Sequence, residues 1–296
     1  MPLIVMYHQL NDDGVGHAFT TEKFRNQLAF LQKKYRFATL SEWLSGHAND
    51  DCCILTFDDG FLDCYTNALP IMDEFGAKGV FFIPGLILTN RKIISSAKRS
   101  MTLFKIGIDA YLDRYNAIVP PYFQVHEGKA VDAWNDPKTS ILKHMLDLME
   151  HESALGVIDT IFSEYFDEDE EFKKLFMTPD MLKEMHSKGH EIGGHGHEHR
   201  FLGRLYPSDQ LSDLKAGIEA FDEKLGFKPS VMSYPFGSHS AITVNIVRYL
   251  GFKAALLDPS SSVAVESVYE INRFDCIDVN ETGLPDIRSR VTDIHK

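Results

Sequence analysis

Short apolar runs punctuate the chain, each ending in polar or glycine-rich residues and each followed by a helix-like segment. Seven stand out: "PLIVMYH", "CCILTFDDG", "GVFFIPG", "HEIGGHGH", "SVMSYPFG", "FKAALLD" and "YEINRFDCID". Most are near-continuous rather than alternating, the pattern of parallel strands covered on both faces. Parallel neighbours need crossovers, and the intervening stretches supply them. In "TTEKFRNQLAFLQKK", Phe24, Leu28 and Leu31 fall on one helical face. "TPDMLKEMHSKG" opens with Thr178 as N-cap and Pro179 at the first helical position, and it closes at Gly189. The same logic runs from Ser208 to Gly226. The expected fold is α/β, a distorted (β/α) barrel of about seven parallel strands forming one domain over residues 1–296. An open doubly wound sheet satisfies the same pattern.

One interval breaks the rhythm. From about 88 to 177 there is no convincing buried strand, only helical segments such as "KTSILKHMLDLMEHES" and "SALGVIDTIFSEYF", closed by the acidic run "DEDEEFKK". It reads as a mostly helical insertion after the third strand, either a structural cap or a lid or dimer contact.

Composition narrows the partners. Apolar residues at 44% and charged residues at 25% suit a soluble chain with a sizeable core. Lys plus Arg total 30 against 43 Asp plus Glu, a net charge of −13. That balance works against phosphate backbones and anionic bilayers, so no nucleic-acid partner is expected. No apolar run approaches the roughly 20 residues of a membrane span. The opening "MPLIVMYHQLNDDG" lacks a basic n-region and reads as a first strand rather than a signal peptide, so a cytoplasmic location is expected. Cys52, Cys53, Cys64 and Cys276 show no C-x-x-C spacing and are expected to be buried and reduced.

In such a barrel the reactive groups gather where strands end and loops begin. The run ends supply His8, Asp58 and Asp59, the cluster from His195 to His199, the turn from Tyr234 to Gly237, and Arg273 with Asp275. Adjacent carboxylates on a strand would face opposite sides. At the strand exit, with Gly60 following, the backbone can turn so that both reach one pocket. Held close they repel, and a cation or a shared proton must relieve that repulsion. His195 and His199, four residues apart, suit a helical face or a tight loop presenting both to one ion. Two imidazoles and one carboxylate make a metal site with positions left open for water. Tyr7, Phe61, Tyr65, Phe82, Tyr234 and Phe236 lie near the same rim; sugar rings stack on such faces, although Phe82 is expected in the core.

Together, "LTFDDG", "LKEMHSKGHEIGGHGHEH" and "SYPFGS" resemble the first three motifs of the polysaccharide deacetylase family, the NodB-homology domain of carbohydrate esterase family four. The resemblance covers roughly residues 1–87 and 178–280. It implies a distorted barrel and metal-dependent hydrolysis of an N-acyl group, usually acetyl, from an amino sugar or glycan precursor. Carried over by position, Asp58 is the general base and Asp59, His195 and His199 bind the metal. Zinc is the first choice of ion, with cobalt, nickel or manganese as alternatives. In the turn Tyr234 to Gly237, the Phe236 N–H serves the developing oxyanion.

The departures from the family pattern are specific. Gly196 stands where the family usually has Ser or Thr. Ser233 stands where it has the Arg that orients the catalytic Asp, and Arg273 is the candidate replacement, unless it merely pairs with Asp275. The final strand lacks the family's general-acid histidine. A closed barrel makes its first and last strands neighbours, so His8 is the candidate acid, with His239, at the substrate-binding turn, as rival. The alternative is that His8 only packs at the rim or orients a ligand. His197 is expected behind the ligands or in solvent, Gly193 and Gly194 are expected to aim His195 inward, and His295 is read as a surface residue of the tail. A carbohydrate-binding pseudoenzyme and a related barrel amidohydrolase for a non-sugar amide, such as a cyclic imide or ureide, are the competing readings.

Overall fold

A computed structural model describes residues 2–13, 19–49, 51–126, 136–258 and 267–279. His295 lies outside them. One sheet contains β1 (Leu3–Tyr7), β2 (Arg36–Phe37), β3 (Cys52–Phe57), β4 (Gly79–Ile83), β5 (Glu191–Gly194), β6 (Val231–Ser233), β7 (Ala254–Leu256) and β8 (Phe274–Asp275). The order is β7-β6-β5-β4-β3-β1-β8, with β2 beside β3, and every pairing is parallel. Each of the seven apolar runs contains one strand. The extra strand, β2, is two residues long and too short to carry a periodic signal.

The sheet curls back on itself through its last segment. Ile271 bridges Leu256 of β7, and three residues later Phe274 and Asp275 pair with Val5 and Met6 of β1. Every residue of β1, β3 and β4 is buried, as two-sided cover requires. Alternate residues converge in one cluster, among them Ile4, Ile54, Val80, Phe82, Val231, Leu256 and Ile271. This is the packed interior of a distorted barrel, not a pore.

Register then sets what happens at the strand ends. Tyr7 pairs with Phe57, and Phe57 with Phe81. Their rings stack, with centroids 5.1 and 4.6 Å apart. One residue beyond this aromatic layer lie His8 and Asp58, with the Asp58 N–H donating to the Tyr7 carbonyl at 3.0 Å. Ile83 pairs with Gly194, and the next N–H, that of His195, donates back to the Ile83 carbonyl at 3.1 Å. Strands in register therefore bring their first polar residues out at one level.

The crossover helices form where the capping signals fall. In α1 (Thr21–Leu31), Phe24, Leu28 and Leu31 are buried. Helix α9 (Pro179–Ser187) has Thr178 as N-cap, its hydroxyl accepting from the Met181 N–H. Helix α10 (Pro207–Leu225) ends at Gly226 in the left-handed region. Its start corrects the sequence reading: Tyr206 is the N-cap, Pro207 the first helical residue, and Ser208 lies inside with its hydroxyl on Asp209. Proline at the first position needs no N–H partner, so no side-chain cap is required. Helix α11 (Ala241–Tyr249) follows with a capping box built by Ser240 and Thr243.

Residues Ile93–Phe172 make a second compact unit, the rest of the chain the first. The second unit holds α5 (Ser95–Ile118), α6 (Pro137–Leu148) and α7 (His151–Ser163), following the short α2 (Leu40–Leu44), α3 (Leu69–Glu74) and α4 (Gly85–Thr89) of the first. It has its own core around Tyr111, Tyr115, Leu142, Leu146 and Ile161. Buried Lys98 pairs there with Asp159 at 2.7 Å and Glu168 at 2.9 Å. All four cysteines are buried and none forms a disulfide. Among the described residues, no helix is long and apolar enough to cross a membrane.

Candidate metal and catalytic site

At the exit of β3 the chain turns sharply: Asp59 and Gly60 both adopt φ 73°. Only that left-handed step lets two consecutive carboxylates serve one pocket. The exit of β5 turns as sharply, with Gly196 at φ 67° and His199 at φ 54°. Four described non-glycine residues have positive φ, and three of them are Asp59, His199 and Phe236. Conformations that cost about 1–3 kcal/mol each are thus gathered at one rim, a pattern typical of functional sites.

The two exits meet. Asp59 Oδ1 lies 3.1 Å from His199 Nε2 and 3.5 Å from His195 Nε2. One ligand atom from each of the three residues falls within 4.8 Å of the others, and all three are buried. His195 donates from Nδ1 to the Ser233 carbonyl at 2.8 Å, which leaves Nε2 as the nitrogen turned toward Asp59. Asp59 Oδ1 is buried and accepts no aligned hydrogen bond. An orphaned buried carboxylate oxygen between two imidazoles is a costly arrangement unless a cation completes it. The donor set, one hard oxygen and two nitrogens, fits a divalent metal of the zinc type. Burial alone would raise the Asp59 carboxyl, yet His199 and His195 beside it hold it well below the usual carboxylate range.

Asp58 faces a different partner. Arg273, fully buried, grips it with two nitrogens: Nη1 donates to Oδ1 at 2.8 Å and Nη2 to Oδ2 at 2.7 Å. Arg273 also donates to Ser233 Oγ at 2.8 Å, the Leu257 carbonyl at 2.7 Å and Thr56 Oγ1 at 3.2 Å. Burial pushes the Asp58 carboxyl up, but Arg273 and then His195 outweigh it, so its pKa lies below the ordinary value and the group stays ionised. Ser233 and Arg273 are therefore one arrangement. The small residue on β6 leaves the space into which the guanidinium reaches from the segment just before β8. The rival partner Asp275 instead accepts from the N–H of Ile277.

His8 ends β1 with an exposed side chain, electrostatically coupled to Asp58 and Asp59. His239 is held elsewhere: Nδ1 meets the Gly237 carbonyl at 2.9 Å, Nε2 meets Glu270 at 3.2 Å, and the ring stacks on Tyr234. Tyr234 is not available to a ligand. It is fully buried and its hydroxyl donates to the Tyr269 carbonyl at 3.0 Å. Phe236, at φ 57°, packs edge-on to His199 at 4.6 Å and stacks on Phe201 at 4.1 Å, bracing that imidazole. Its N–H has no backbone acceptor among the described residues. Gly237 approaches Asp258 so closely that a Cβ would lie 3.0 Å from the Asp258 Cβ.

Of the rim aromatics, Tyr7, Phe61 and Phe82 are buried in the core, and half-buried Tyr65 donates to Glu184. His197 stays out of the triad and packs beside Gly85, whose added Cβ would sit 2.7 Å from its Nδ1. Gly193 has an extended role rather than a turning one: a Cβ there would lie 2.6 Å from the Phe82 ring, so it is needed for packing. The left-handed step that turns the chain out of β5 lies at Gly196 rather than at Gly193 or Gly194.

Two residues escaped the sequence reading. Asp258, at the end of β7, lies 3.5 Å from Arg273, and burial together with the Asp58 charge pushes its carboxyl up. Asp213, inside α10, accepts from the N–H groups of His197 and Glu198. Each is an isolated acidic residue without a motif of its own.

A family model described as polysaccharide deacetylase matches residues 45–107 and 132–255. His8 and Arg273 lie outside the matched stretches. The Bacillus subtilis protein YxkH, itself named for polysaccharide deacetylases, is 25% identical over 226 residues, 76% of this chain and 51% of that protein. The chain thus spans about half the length of that curated relative. The Streptococcus pyogenes deacetylase PplD, solved with acetate, matches with a TM-score of 0.60 at 16% identity over 96% of this chain and 98% of that one. The de-N-acetylase of Aggregatibacter actinomycetemcomitans matches with a TM-score of 0.58 at 14% identity over 98% and 99%. At these identities the likeness is one of fold.

Proposed function

Because the chain belongs to the polysaccharide deacetylase family, we propose that it hydrolyses an N-acyl group, acetyl in the first instance, from an amino sugar of a glycan. The observation that carries the reading is the pairing of an ionised Asp58 with the open Asp59–His195–His199 triad beside it. Asp59, His195 and His199 would hold a divalent metal, zinc by preference, which when bound would supply Lewis-acid polarisation of the amide carbonyl and acidify water.

The residues of the chain do the rest. Asp58, oriented by Arg273, accepts the proton that water gives up as its oxygen bonds to the acyl carbon. The Phe236 N–H faces the developing oxyanion. His8, reaching the site from β1, donates a proton to the nitrogen as the C–N bond breaks, so acetate and a free amine leave. His239, with both ring nitrogens engaged, serves the shape of the turn. The competing reading of a binding protein with lost catalysis rests on the missing arginine and the missing last-strand histidine, and the Arg273–Asp58 pair supports catalysis against the first of these.

The test is acetate release from N-acetylglucosamine oligomers, with and without a chelator. The expected outcome is turnover that chelation stops and zinc restores, and a loss of about 10²–10⁴-fold in Asp58→Asn. Chelator-insensitive turnover would sink the metal mechanism. Zinc binding with no acetate from any N-acyl sugar, but cleavage of a cyclic imide or ureide, would move the activity to non-sugar amides.

A further inference from the structure

The loop carrying the two histidines has a support that no motif announces. Between His195 and His199 the backbone must leave β5, pass Gly196 at φ 67° and return through His199 at φ 54°. A loop in that conformation has no ladder to satisfy its peptide groups, and buried ones need partners. The two carbonyls are satisfied from one side: Gly85 and Leu86, at the start of α4, donate to Gly196 and His197 at 3.0 Å each. The two following N–H groups are satisfied from the other side by one residue. Asp213 Oδ2 accepts from His197 at 2.8 Å and Oδ1 from Glu198 at 3.1 Å.

Asp213 is buried inside α10, and its two oxygens are taken up by those two backbone N–H groups. A buried carboxylate in mid-helix is expensive unless its oxygens are hydrogen-bonded. Its surroundings are shaped to it. A Cβ on Gly196 would lie 3.0 Å from Asp213 Oδ2, so the carboxylate sits against the bare face of Gly196. Gly217, one turn further along the same face of α10, lets the helix approach until an added Cβ would be 3.0 Å from the Gly196 carbonyl. Helix and loop fit at three residues, and the fit centres on that carboxylate.

We infer that Asp213 is a positioning residue for the metal ligands, holding the 195–199 loop through the N–H groups of His197 and Glu198 so that His195 and His199 face one ion. It touches neither ion nor substrate. The inference rests on the metal reading above and adds to it a residue from a different element.

The test measures metal binding rather than turnover. The full chain, stripped with a chelator, is titrated with zinc, and its cobalt form is examined by visible absorption. In Asp213→Asn one oxygen is replaced by an amide NH₂ that cannot accept, so a donor faces a donor. The expected result is zinc affinity about 10–100-fold weaker, the range for residues that support metal ligands, and altered cobalt d–d bands. Gln210→Ala is the control: Gln210 is buried on the same helix but donates to the Leu205 carbonyl, so its loss leaves zinc affinity within about twofold. Unchanged affinity in a folded Asp213→Asn chain, or an equal loss in Gln210→Ala, overturns the positioning role. Should Asp213→Asn fail to fold, Gly196→Ala reports instead. Its Cβ displaces the carboxylate and the same weakening is expected, while unchanged affinity overturns the role. A parent chain that binds no zinc overturns the metal reading and this inference with it. A parent that binds zinc with indifferent variants overturns this inference alone.

Discussion

Two buried charge clusters, one in each compact unit, show what separates a joint from a site. In the helical unit, buried Lys98 meets Asp159 and Glu168 at 2.7 and 2.9 Å, and its ammonium lies 5.6 Å from the centre of the Phe162 ring. One cation meets two anions that retain some contact with solvent, and the cluster is closed. In the barrel unit, Asp59 meets two imidazoles at 3.1 and 3.5 Å with an oxygen left unaligned, on backbone held in left-handed conformations. That cluster is open and strained. Breaking a closed cluster costs stability by stranding a buried charge, whereas an open one costs stability until a ligand completes it.

The comparison is broken most sharply at Asp59. Asp59→Ala is expected to abolish both zinc binding and chelator-sensitive acetate release, while the melting temperature of the metal-free chain stays within a few degrees or rises. Calorimetric zinc titration and a thermal melt check both halves. A large fall in metal-free stability would mean that the triad is a joint after all.

His8→Gln comes next, with an expected loss of about 10²-fold or more in kcat on an N-acetyl amino sugar and a much smaller loss on an amide whose leaving amine needs no protonation. A general acid matters in proportion to the basicity of the leaving nitrogen, so a variant without it is hurt least on the best leaving group. An equal loss on both kinds of substrate, or no loss on either, would return His8 to a packing role.

Lys98→Met should do the converse of Asp59→Ala. Removing the cation strands Glu168 beside an apolar side chain, which costs about 2 kcal/mol of stability. Zinc affinity should remain within about twofold. Denaturant unfolding and zinc titration of the same preparation make the comparison directly.

The last effect shows only on acidification and lies at His190, which is buried before β5 and hydrogen-bonded through Nδ1 to the Gly79 N–H at 3.3 Å. Burial, and then Lys78, lower its pKa to about 4. The unfolded chain therefore binds a proton between about pH 6.5 and pH 4 that the folded chain does not, and stability is lost as pH falls through that window. His190→Asn should remove up to about 2 kcal/mol of the stability difference between pH 7 and pH 5. An identical pH dependence in parent and variant would assign the acid sensitivity to other groups.

Much of this molecule was legible before any coordinates. The strands announce themselves because burial on both faces demands continuous apolar runs, and β1, β3 and β4 are buried throughout. The pairs Asp58–Asp59 and His195–His199 each lie within five residues, so local backbone geometry alone can aim them. Arg273 could be named from its apolar run but not assigned. Its choice of Asp58 over Asp275 depends on the last segment bridging β7 and β1, a contact spanning 215 residues. Asp258 and Asp213 had no signal, because a single acid on a loop or a helix has no period and no spacing to betray it.

The amino-acid sequence by itself determined the parallel α/β layout, the helical interval and the local groups able to hold an ion, since these follow from hydrophobic pattern and turn chemistry. Only the tertiary structure decided which groups face one another. It set the register that places His8 level with Asp58, the closure that brings Arg273 to it, and the approach of α10 that puts Asp213 under the histidine loop. Strand closure and helix docking join residues far apart in the chain, and no local pattern encodes those meetings.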